Sequence, residues 1–600
     1  MKFCTSVFLL LGIVSTTQAV EFRTIDGTGN NLTNTTQGQA FTPLVRIRDV
    51  LVNPLPGFDP VPLAPAYEDG IDTPRGILDL ANPAGVGTSR LPNPRDISNA
   101  VVSQGSRSVL NPLRATDWLW QWGQFLDHDI ALEEPAPTSD PFLIPVTNSA
   151  DPLFNPSFPF LPFRRNDPAP GTGAGTGVPR EQVNKITTYI DGSNVYGSDQ
   201  SRADFLRTFD GGKLKTTSAS NGEILLPFNR ATDPFPNANP PVTPGSSPAD
   251  ADALFLAGDI RVNEQLGLTA VHTMFLREHN RLAEALGQRA DLGQLVAGAG
   301  LDANVASDVD EYIYQMSRKA VGATIQAITY NEFLPLLVGP DEVPTYSGYD
   351  ANVNAAISNE FANAAYRVGH TLLSPQLQLA DSAGNSLGSV ALRDAFFDPS
   401  FAQENGVDAL LKGLSMRQAQ DVDALVIDEV RNFLFDEGNG GLDLAAVNIQ
   451  RGRDHGLPSY NDMRRGLGLD PRTEFSEITS DSTITDALAS IYDSIEDVDL
   501  WLGAIAEEAV GGGLTGELLN VILVDQFTRL RDGDRFFYAN DAGLLTLFPT
   551  IGQTRLSEVI VRNSAMESMP SNAFVIPEPA TIVLGAMSVL LATVLRRRFG

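Results

Sequence analysis

Cysteine is almost absent from this chain, and histidine is rare. Among its 600 residues the chain has one cysteine, Cys4, and five histidines. Cys4 lies within residues 1–19, which have the layout of a cleaved signal peptide: an early lysine, an apolar stretch and small residues at Thr17 and Ala19. The mature protein is therefore predicted to be exported and to hold neither a thiol nor a disulfide.

Positive charge is also scarce. The sequence has 42 lysines and arginines against 73 aspartates and glutamates, which gives a formal net charge of -31. This balance argues against a nucleic-acid partner, because neutralising phosphates requires clustered basic residues and the only cluster lies at the extreme C-terminus. With 42% hydrophobic and 19% charged residues the composition is globular, and the acidity indicates solubility or an affinity for cations.

Residues 574–600 form a tail of a recognisable kind. Ala580–Leu595 is uncharged, would span about 24 Å as a helix, which is marginal for a bilayer, and is followed by three arginines. With the preceding Pro577-Glu578-Pro579, the tail resembles a PEP-CTERM sorting signal, which an exosortase recognises in certain bacteria. This resemblance implies an extracellular or cell-surface bacterial protein that the tail anchors transiently in the membrane. An ordinary C-terminal anchor is the alternative.

The body of the chain, residues 20–573, shows mainly helical periodicity. Apolar residues recur at three- and four-residue spacing in four segments, residues 115–130, 264–287, 360–373 and 424–435. The first of them begins at a Thr116 or Asp117 cap. Residues 133–180 are too rich in proline and glycine for regular structure. We therefore predict a mainly α-helical fold, built as one large domain with few short strands.

One predicted helix places three polar side chains on the same face. In WGQFLDHDIALEE, residues 122–134, the 100° turn per residue brings Gln124, Asp127 and His128 together and turns Asp129 away. Such a face can present an amide, a carboxylate and an imidazole to one pocket. A satisfied structural ion pair is the alternative interpretation of this histidine.

A second motif supplies a row of oxygen atoms. In TTYIDGSNVYGSD the residues Thr187, Tyr189, Asp191 and Ser193 alternate, so in an extended segment their oxygens point to one side. Hydroxyl, carbonyl and carboxylate oxygens suit a hard cation. Asp129 could supply a second carboxylate from the helix.

Three further motifs carry candidates that are weak one by one. AGDIRVNEQLGL sets Arg261 and Glu264 three residues apart, and NAAYRVGHTLL holds His370 behind a glycine. The third motif, NIQRGRDHGLPSYN, carries Asn448 and Arg451. Together with FRTIDGTGNNL, NPRDISN, WGQFLDHD, TYIDGSNVYGS, LREHNRLA and DQFTRLRDGDRFFY, they resemble the animal-type haem peroxidase family, the group of myeloperoxidase, lactoperoxidase and peroxidasin. The resemblance covers nearly all of the chain between its two ends.

The resemblance implies a peroxidase that reduces hydrogen peroxide and oxidises a halide, thiocyanate or an aromatic donor through a ferryl intermediate. His128 would be the distal base, which takes a proton from peroxide and returns it to the departing oxygen. Arg261 would stabilise charge on that oxygen, and Gln124 would orient water or a halide.

The resemblance also implies how cofactors are held. Asp127 and Glu264 match carboxylates that form ester bonds to haem b. Gln265 stands where the myeloperoxidase branch has a methionine, so no sulfonium link is expected. The other matches are His370 as proximal iron ligand, Asn448 as acceptor of its second ring proton, Arg367 and Arg451 as propionate partners, and Asp129, Thr187, the Tyr189 carbonyl, Asp191 and Ser193 as calcium ligands.

Two other functions stay open at the level of the sequence. A fatty-acid dioxygenase of the same superfamily needs a tyrosine three residues before the proximal histidine, where this chain has Arg367, with Tyr366 one position earlier. A non-catalytic surface or matrix adhesin would not need to retain His128, Arg261, His370, Asn448, Asp127 and Glu264. The remaining histidines, His272, His279 and His455, match no catalytic position and are predicted to be structural.

Overall fold

Helices dominate the structure. The computed structural model describes residues 20–52, 54–55, 63–77, 90–135, 140–230, 232, 234–237, 253–434 and 441–577. The predicted signal peptide and the tail beyond Pro577 lie outside the described residues. Strands within the described residues are few and short, which confirms the predicted fold class.

The helices fall into two groups by position along the chain. The N-terminal half contains α1 (Ile47–Val50), α2 (Pro94–Ile97), α3 (Trp118–Ile130), α4 (Ser193–Tyr196), α5 (Gln200–Leu206), α6 (Leu266–Gly287) and α7 (Leu292–Gly298). The C-terminal half contains α8 (Ala306–Ile328), α9 (Leu334–Leu337), α10 (Asn359–Asn363), α11 (Ser400–Asn405), α12 (Asp408–Gly413), α13 (Asp428–Arg431), α14 (Leu444–Asp454), α15 (Tyr460–Gly466), α16 (Ser482–Ile491), α17 (Leu500–Ala506), α18 (Glu517–Asp532), α19 (Ala542–Leu547) and α20 (Leu556–Asn563).

The strands of the described residues form antiparallel pairs with no larger sheet. The pairs are β1 (Thr42–Pro43) with β4 (Val183–Asn184), β2 (Ile144–Pro145) with β3 (Phe160–Leu161), β5 (Thr217–Ser218) with β6 (Ile224–Leu225), and β7 (Gln376–Ala380) with β8 (Ser386–Ala391). Only β2 and β3 fall in the proline- and glycine-rich connection, so that segment is mostly irregular, as predicted.

Helix α3 begins at Trp118, directly after the predicted cap positions, but the Asp117 side chain does not cap it. The Thr116 hydroxyl accepts a long hydrogen bond from the Trp118 amide at 3.4 Å. The Asp117 carboxylate instead accepts from Trp120 Nε1 at 3.0 Å and from Ser374 Oγ at 2.6 Å, through the same oxygen. Its second oxygen is buried without a hydrogen-bond partner among the described residues. Burial of this carboxyl raises the pKa of Asp117 to about 7.

This carboxyl predicts a pH-dependent stability. Because the folded-state pKa of Asp117 exceeds the unfolded value of about 4, the folded protein binds the proton more tightly and loses stability as pH rises from about 4 to about 7. Asp117→Asn cannot ionise and keeps an acceptor oxygen, so we expect it to gain a few kcal/mol relative to wild type between pH 4.5 and pH 8. Urea unfolding of both proteins at the two pH values measures the change. An equal difference in stability at both pH values would contradict this prediction.

The long helix predicted over residues 264–287 is confirmed by α6. The prediction of a continuous helix over residues 360–373 is wrong. Helix α10 ends at Asn363, and Ala364 leaves the helical region with φ -137° and ψ -71°. The chain then makes a tight 3-10 turn, Ala365–His370. Because of the break at Ala364, the turn does not continue α10. His370 lies at the end of this turn and is oriented by it.

The helix predicted over residues 424–435 is also mostly absent, since within the described part, residues 424–434, only Asp428–Arg431 is helical. The Val426 amide donates to the Val102 carbonyl at 2.9 Å, and the Val426 carbonyl accepts from the Gln104 amide at 3.2 Å. These backbone groups are therefore engaged by another segment and are not available to a helix. Hydrogen bonds to a segment distant in sequence outweigh the helical pattern of apolar residues here.

One hydrophobic cluster runs through the fold from Leu44 to Phe574, and α3 and α6 lie within it. Trp122 of α3 contacts Phe125, Phe275 and Phe574, with ring centroids 5.8 to 6.1 Å apart. The aromatic packing holds α3, which carries Gln124, Asp127 and His128, against α6.

The residues at the predicted start of the tail pack onto the body. The Thr116 amide donates to the Phe574 carbonyl at 2.8 Å, and the Ile576 amide donates to the Arg114 carbonyl at 3.0 Å. Within the described ranges no helix has the length and hydropathy to span a bilayer. The predicted span, residues 580–595, lies outside those ranges.

Candidate active site

A partly enclosed cavity of about 360 Å³ lies between α3, the start of α6 and the 3-10 turn Ala365–His370. This volume is within the range of about 300 to 1,000 Å³ that is typical of small-molecule and cofactor sites. Its walls are largely leucine, valine and phenylalanine side chains. The predicted site residues that line it are Gln124, Asp127, His128, Arg261, Glu264, Arg367 and His370.

His128 is buried, and its ring lies between two carboxylates, one near each ring nitrogen. Its Nδ1 lies 3.5 Å from Asp259 Oδ1, and its Nε2 lies 3.9 Å from Glu264 Oε2. Burial, reinforced by the positive charge of Arg261, lowers the pKa of His128 well below its usual range. The ring is therefore neutral at pH 7 and can accept a proton.

Arg261 is held rigidly beside this histidine. Its guanidinium pairs with both oxygens of Asp259, at 2.9 Å from Nε and 2.8 Å from Nη2, and also donates to the Ala131 carbonyl at 2.9 Å. Its Nη1 lies 3.4 Å from Asp127 Oδ2. The guanidinium is thus a fixed positive charge at the cavity wall.

Two carboxylates and two amides complete this side of the cavity. Gln124 donates to Glu264 Oε1 at 3.3 Å and accepts from Gln265 Nε2 at 2.9 Å, and Gln265 caps α6 by accepting from the Gly267 amide at 2.6 Å. The side chains of Asp127 and Glu264 are 34% and 27% exposed, but the space they face is the cavity. Burial therefore still raises the pKa of Asp127 to about 6 and that of Glu264 to about 7, against the opposing charge of Arg261.

His370 approaches the cavity from the 3-10 turn, and Asn448 of α14 contacts its ring. The Asn448 amide nitrogen lies 2.8 Å from His370 Nδ1, and its oxygen accepts from Arg367 Nη1 at 3.5 Å. In this orientation His370 Nδ1 is the acceptor, the reverse of the predicted tautomer. A 180° turn of the amide group exchanges its nitrogen and oxygen at the same site. Burial and the charge of Arg367 lower the pKa of His370 to about 3, so the ring is neutral.

The two arginines predicted to bind the haem propionates, Arg367 and Arg451, have different surroundings. Arg367 lines the cavity, and its buried Nε has no hydrogen-bond partner among the described residues. Arg451 is not part of the lining, because its Nη1 donates to Asp454 Oδ2 and to the Arg164 carbonyl, each at 3.1 Å. The Nη atoms of Arg367 contact Asn448 and Asn363, so its Nε is the guanidinium nitrogen left without a partner among the described residues. Arg451 is engaged away from the cavity.

The predicted calcium ligands lie together beside α3. Ser193 Oγ donates to Asp129 Oδ1 at 3.0 Å, and the Ser193 amide donates to Asp191 Oδ1 at 3.0 Å. Thr187 Oγ1 donates to that same oxygen of Asp191 at 3.3 Å. Burial raises the pKa of both aspartates, and the Asp191 charge adds to the effect on Asp129.

These oxygens form a candidate site with few charged ligands. The Asp191 Oδ2 atom is buried with no hydrogen bond among the described residues, and Arg318 Nη2 lies 3.7 Å from it. Tyr189 is buried next to the cluster, and its hydroxyl donates to the Gln37 carbonyl at 2.8 Å. In the described ranges no cluster of three or more histidine, cysteine, aspartate or glutamate side chains is arranged for a metal ion. The candidate calcium site therefore depends on hydroxyl and carbonyl oxygens.

The other histidines have structural surroundings. His279 lies 2.9 Å from the Tyr196 hydroxyl and 2.8 Å from the Gly212 carbonyl, so both ring nitrogens are satisfied. His455 is satisfied in the same way by Asn359 and Asn166. His272 packs edge-on against Phe125 at 5.1 Å, and neither of its ring nitrogens has a hydrogen-bond partner among the described residues.

Two acidic residues near the cavity escaped the sequence analysis. Asp259 is fully buried between His128 and Arg261, and Glu133 lines the cavity beyond the end of α3. The position of Asp259 two residues before Arg261 was the available signal. Its significance depends on a contact with α3 that is distant in sequence.

Comparison with known proteins identifies relatives over most of the chain. The family model described as animal haem peroxidase matches residues 22–574. Peroxinectin A of Dictyostelium discoideum is 34% identical over 89% of this chain and 92% of its own length. Thyroid peroxidase of Sus scrofa is 34% identical over 93% of this chain, which spans 60% of that longer protein.

Solved structures show the same fold. Peroxidase A from Dictyostelium discoideum superposes with a TM-score of 0.75 at 32% identity, covering 93% of this chain and all of that one. The fatty acid alpha-dioxygenase of Oryza sativa has a TM-score of 0.69 at 20% identity, over 93% of this chain and 87% of that one, a likeness of fold alone. Since the family model spans almost the whole described body and the relatives exceed 30% identity, the chain belongs to the animal haem peroxidase family, a family of haem-dependent peroxidase enzymes.

Proposed function

We propose that the chain binds haem b in the cavity and uses it to reduce hydrogen peroxide while oxidising a small donor. The observation that carries the proposal is that two neutral imidazoles, His128 and His370, line one apolar-walled cavity from two different elements. His128 has a fixed cationic neighbour, Arg261, whereas His370 is contacted by the Asn448 amide. The two rings are thus equipped for different tasks.

The residues present fit a haem group. With the Asn448 amide turned so that its oxygen faces His370 Nδ1, Nε2 carries the lone pair that an iron ligand requires. The unpartnered Nε of Arg367 provides a buried cationic donor for a propionate. When bound, haem supplies an iron centre that takes peroxide oxygen and stores oxidising equivalents.

His128 would move the proton. Its neutral ring can take a proton from the bound peroxide at Nε2 and return it to the departing oxygen, which is general acid–base catalysis. Arg261 is already charged and needs no reorganisation, so it would stabilise negative charge on that oxygen. Gln124, held between Glu264 and Gln265, would orient water or a halide in the same space.

Asp127 and Glu264 would bond covalently to the porphyrin edge. Both carboxyls face the cavity. An ester to a haem methyl carbon requires that a C–H bond is broken and two electrons are removed, and the hydrogen peroxide of the proposed reaction would take up those electrons and be reduced to water. A carboxylate oxygen would then bond to the oxidised carbon. Gln265 is a cap for α6 and holds no sulfur, so no sulfonium link would form. The haem would then be ester-linked through these two residues.

The fatty-acid dioxygenase alternative rests on a tyrosine near the cavity. Tyr366 lines the cavity, stacks on Phe361 at 4.7 Å and has a buried hydroxyl without a partner among the described residues. It lies four residues before His370, one position further than that chemistry requires. The peroxidase therefore remains the proposed activity, with a halide, thiocyanate or an aromatic compound as the donor.

The experiment uses the purified protein with haem. We expect hydrogen-peroxide-dependent oxidation of bromide or guaiacol, with no oxygen uptake on linoleate. Oxygen uptake without peroxide turnover would instead identify a dioxygenase. Absence of both activities in a haem-loaded sample would indicate a non-catalytic adhesin and overturn the proposal.

We also propose that Asp129, Thr187, the Tyr189 carbonyl, Asp191 and Ser193 bind calcium. Two buried carboxylates near each other are unfavourable without a cation, and calcium would offset that repulsion. Chelation with EGTA is expected to lower the Tm by about 2 to 3 degrees, since a ligand at 100 times its Kd contributes about 3 kcal/mol and a body of this length has an unfolding entropy of about 1.2 kcal/mol/K. Scanning calorimetry with and without calcium measures this.

The calcium prediction has matched variants. Asp129→Asn combined with Asp191→Asn should abolish the response of the Tm to calcium, whereas Glu284→Gln, which removes an exposed carboxylate on α6, should keep it. A wild-type Tm that is the same in calcium and in EGTA would show that the cluster does not hold the ion.

Export, tail recognition by an exosortase and transient membrane anchoring stay part of the proposal for a bacterial, extracellular or cell-surface protein. They are supported by the sequence of the two ends alone. Mass spectrometry of the protein from its native cells tests them directly. Intact residues 1–19 and 578–600 in the final protein would contradict processing at both ends.

A further inference from the structure

Asp259 is a buried carboxylate to which the proposed chemistry assigns no role. Its side chain is completely buried. Oδ1 accepts from the Arg261 amide at 2.8 Å and from Arg261 Nε at 2.9 Å, while Oδ2 accepts from Arg261 Nη2 at 2.8 Å. Every one of these donors belongs to a single residue, so Asp259 holds both the backbone and the guanidinium of Arg261.

The backbone around Asp259 is also fixed. Its amide donates to the Asn194 carbonyl of α4 at 3.0 Å. The preceding Gly258 lies so close to α4 that a Cβ there would come within 2.2 Å of the Ser193 carbonyl oxygen. Only glycine allows this approach. The carboxylate is therefore carried on a segment pressed against α4 and cannot move independently of it.

His128 faces this carboxylate with an unpaired ring nitrogen. His128 Nδ1 is buried and forms no hydrogen bond with the described residues, and Asp259 Oδ1 lies 3.5 Å from it. That separation is slightly beyond a hydrogen bond, and such contacts often tighten only when the site is loaded. A buried N–H at this position would have an ionic acceptor directly opposite, whereas a bare lone pair would face a negative charge.

The charge of Asp259 is secure. Burial alone would raise the pKa of this carboxyl, but the charge of Arg261 and its hydrogen bonds lower it well below the usual range. An ionised carboxylate favours a proton on the ring nitrogen that faces it. The remaining nitrogen, Nε2, then carries the lone pair toward the cavity.

We propose that Asp259 is a positioning residue that selects the Nδ1–H tautomer of His128 and at the same time fixes Arg261. One carboxylate would then fix the tautomer of the base, His128, and the position of the cation, Arg261. A buried aspartate orients the histidine of a hydrolase triad in a similar way. The inference rests on the proposed role of His128 as the base. It adds a residue that transfers no proton itself and acts through two others.

The first test reads the tautomer directly. The protein contains only five histidines, so ¹⁵N-histidine labelling with His128→Ala as the assignment reference can identify the His128 signals. We expect wild-type His128 to be protonated at Nδ1 in the haem-loaded, diamagnetic ferrous carbon monoxide complex. Asp259→Asn should shift the proton toward Nε2, whereas Glu264→Gln, on the Nε2 side, should leave it at Nδ1. A wild-type ring protonated at Nε2, or no change in Asp259→Asn, overturns the proposal.

The second test is a double-mutant cycle on the rate of reaction with hydrogen peroxide. Asp259→Asn is expected to slow this step by roughly 10- to 100-fold in wild type, and by less in the His128→Ala background, where only its effect through Arg261 remains. Equal losses in both backgrounds would show that Asp259 does not act through the histidine. If Asp259→Asn fails to fold, Asp259→Glu serves in both tests and should give a smaller shift of the same sign.

These two readouts separate the inference from the proposed function. A protein without peroxide turnover whose His128 tautomer still responds to Asp259 would contradict the peroxidase proposal and keep the positioning role. A protein that turns over peroxide but whose His128 tautomer does not respond to Asp259 would keep the peroxidase proposal and contradict the positioning role.

Discussion

Replacing His128 by alanine is expected to slow the reaction with hydrogen peroxide by about 10²- to 10⁴-fold, the usual contribution of a positioned acid–base group. The ring is neutral, buried, and directed with Nε2 toward the cavity, 3.9 Å from Glu264 Oε2. Alanine leaves no group on α3 that can take the peroxide proton from this position. Stopped-flow spectroscopy of the Soret band after mixing with peroxide measures the rate.

The matched control for this variant is His272→Phe. His272 is a buried histidine on the neighbouring helix α6 that packs on Phe125 and lines no part of the cavity. Its replacement should leave the peroxide reaction within a small factor of wild type, and both variants should keep their haem. Unchanged kinetics in His128→Ala would remove the residue from its proposed role.

Removing both cavity carboxyls, Asp127→Ala with Glu264→Ala, is expected to make nearly all of the haem extractable by acid acetone, while the wild type retains it. The physical reason is that both groups face the cavity, and no sulfur-containing side chain lines it among the residues that the structure describes. Each single variant should keep the haem attached through the remaining ester. Absorbance of the extracted pigment gives the result.

Glu133→Ala is the control for the extraction experiment, because Glu133 is a further carboxylate in the cavity lining. Its loss should leave the haem fixed. A double variant that resists extraction would show that another bond holds the porphyrin. A wild type that releases its haem completely would show that no ester forms.

Much of the candidate site could be predicted from short segments. The face of α3 that carries Gln124, Asp127 and His128 follows from helical geometry, and the structure places all three at the cavity. The helix over residues 264–287 is confirmed, because its apolar spacing coincides with a stripe that packs in the core. In both segments local preference and tertiary environment agree.

Other features were beyond prediction because they depend on contacts between distant segments. The turn that orients His370 begins where α10 breaks at Ala364, within a pattern that looks continuously helical. Arg451 is drawn from the cavity by Asp454 and the Arg164 carbonyl. The significance of Asp259 depends on the position of its carboxylate opposite His128, which lies 131 positions earlier in the chain.

The sequence by itself determined the mainly helical fold class and the side chains that share a helix face. These properties follow from composition and from the 3.6-residue turn, both of which act over a few residues. Only the tertiary structure decided which arginines form ion pairs, which backbone groups pair and which carboxylate faces the His128 imidazole. Those outcomes depend on the close packing of segments far apart in the chain, where a displacement of about 1 Å separates a hydrogen bond from no contact.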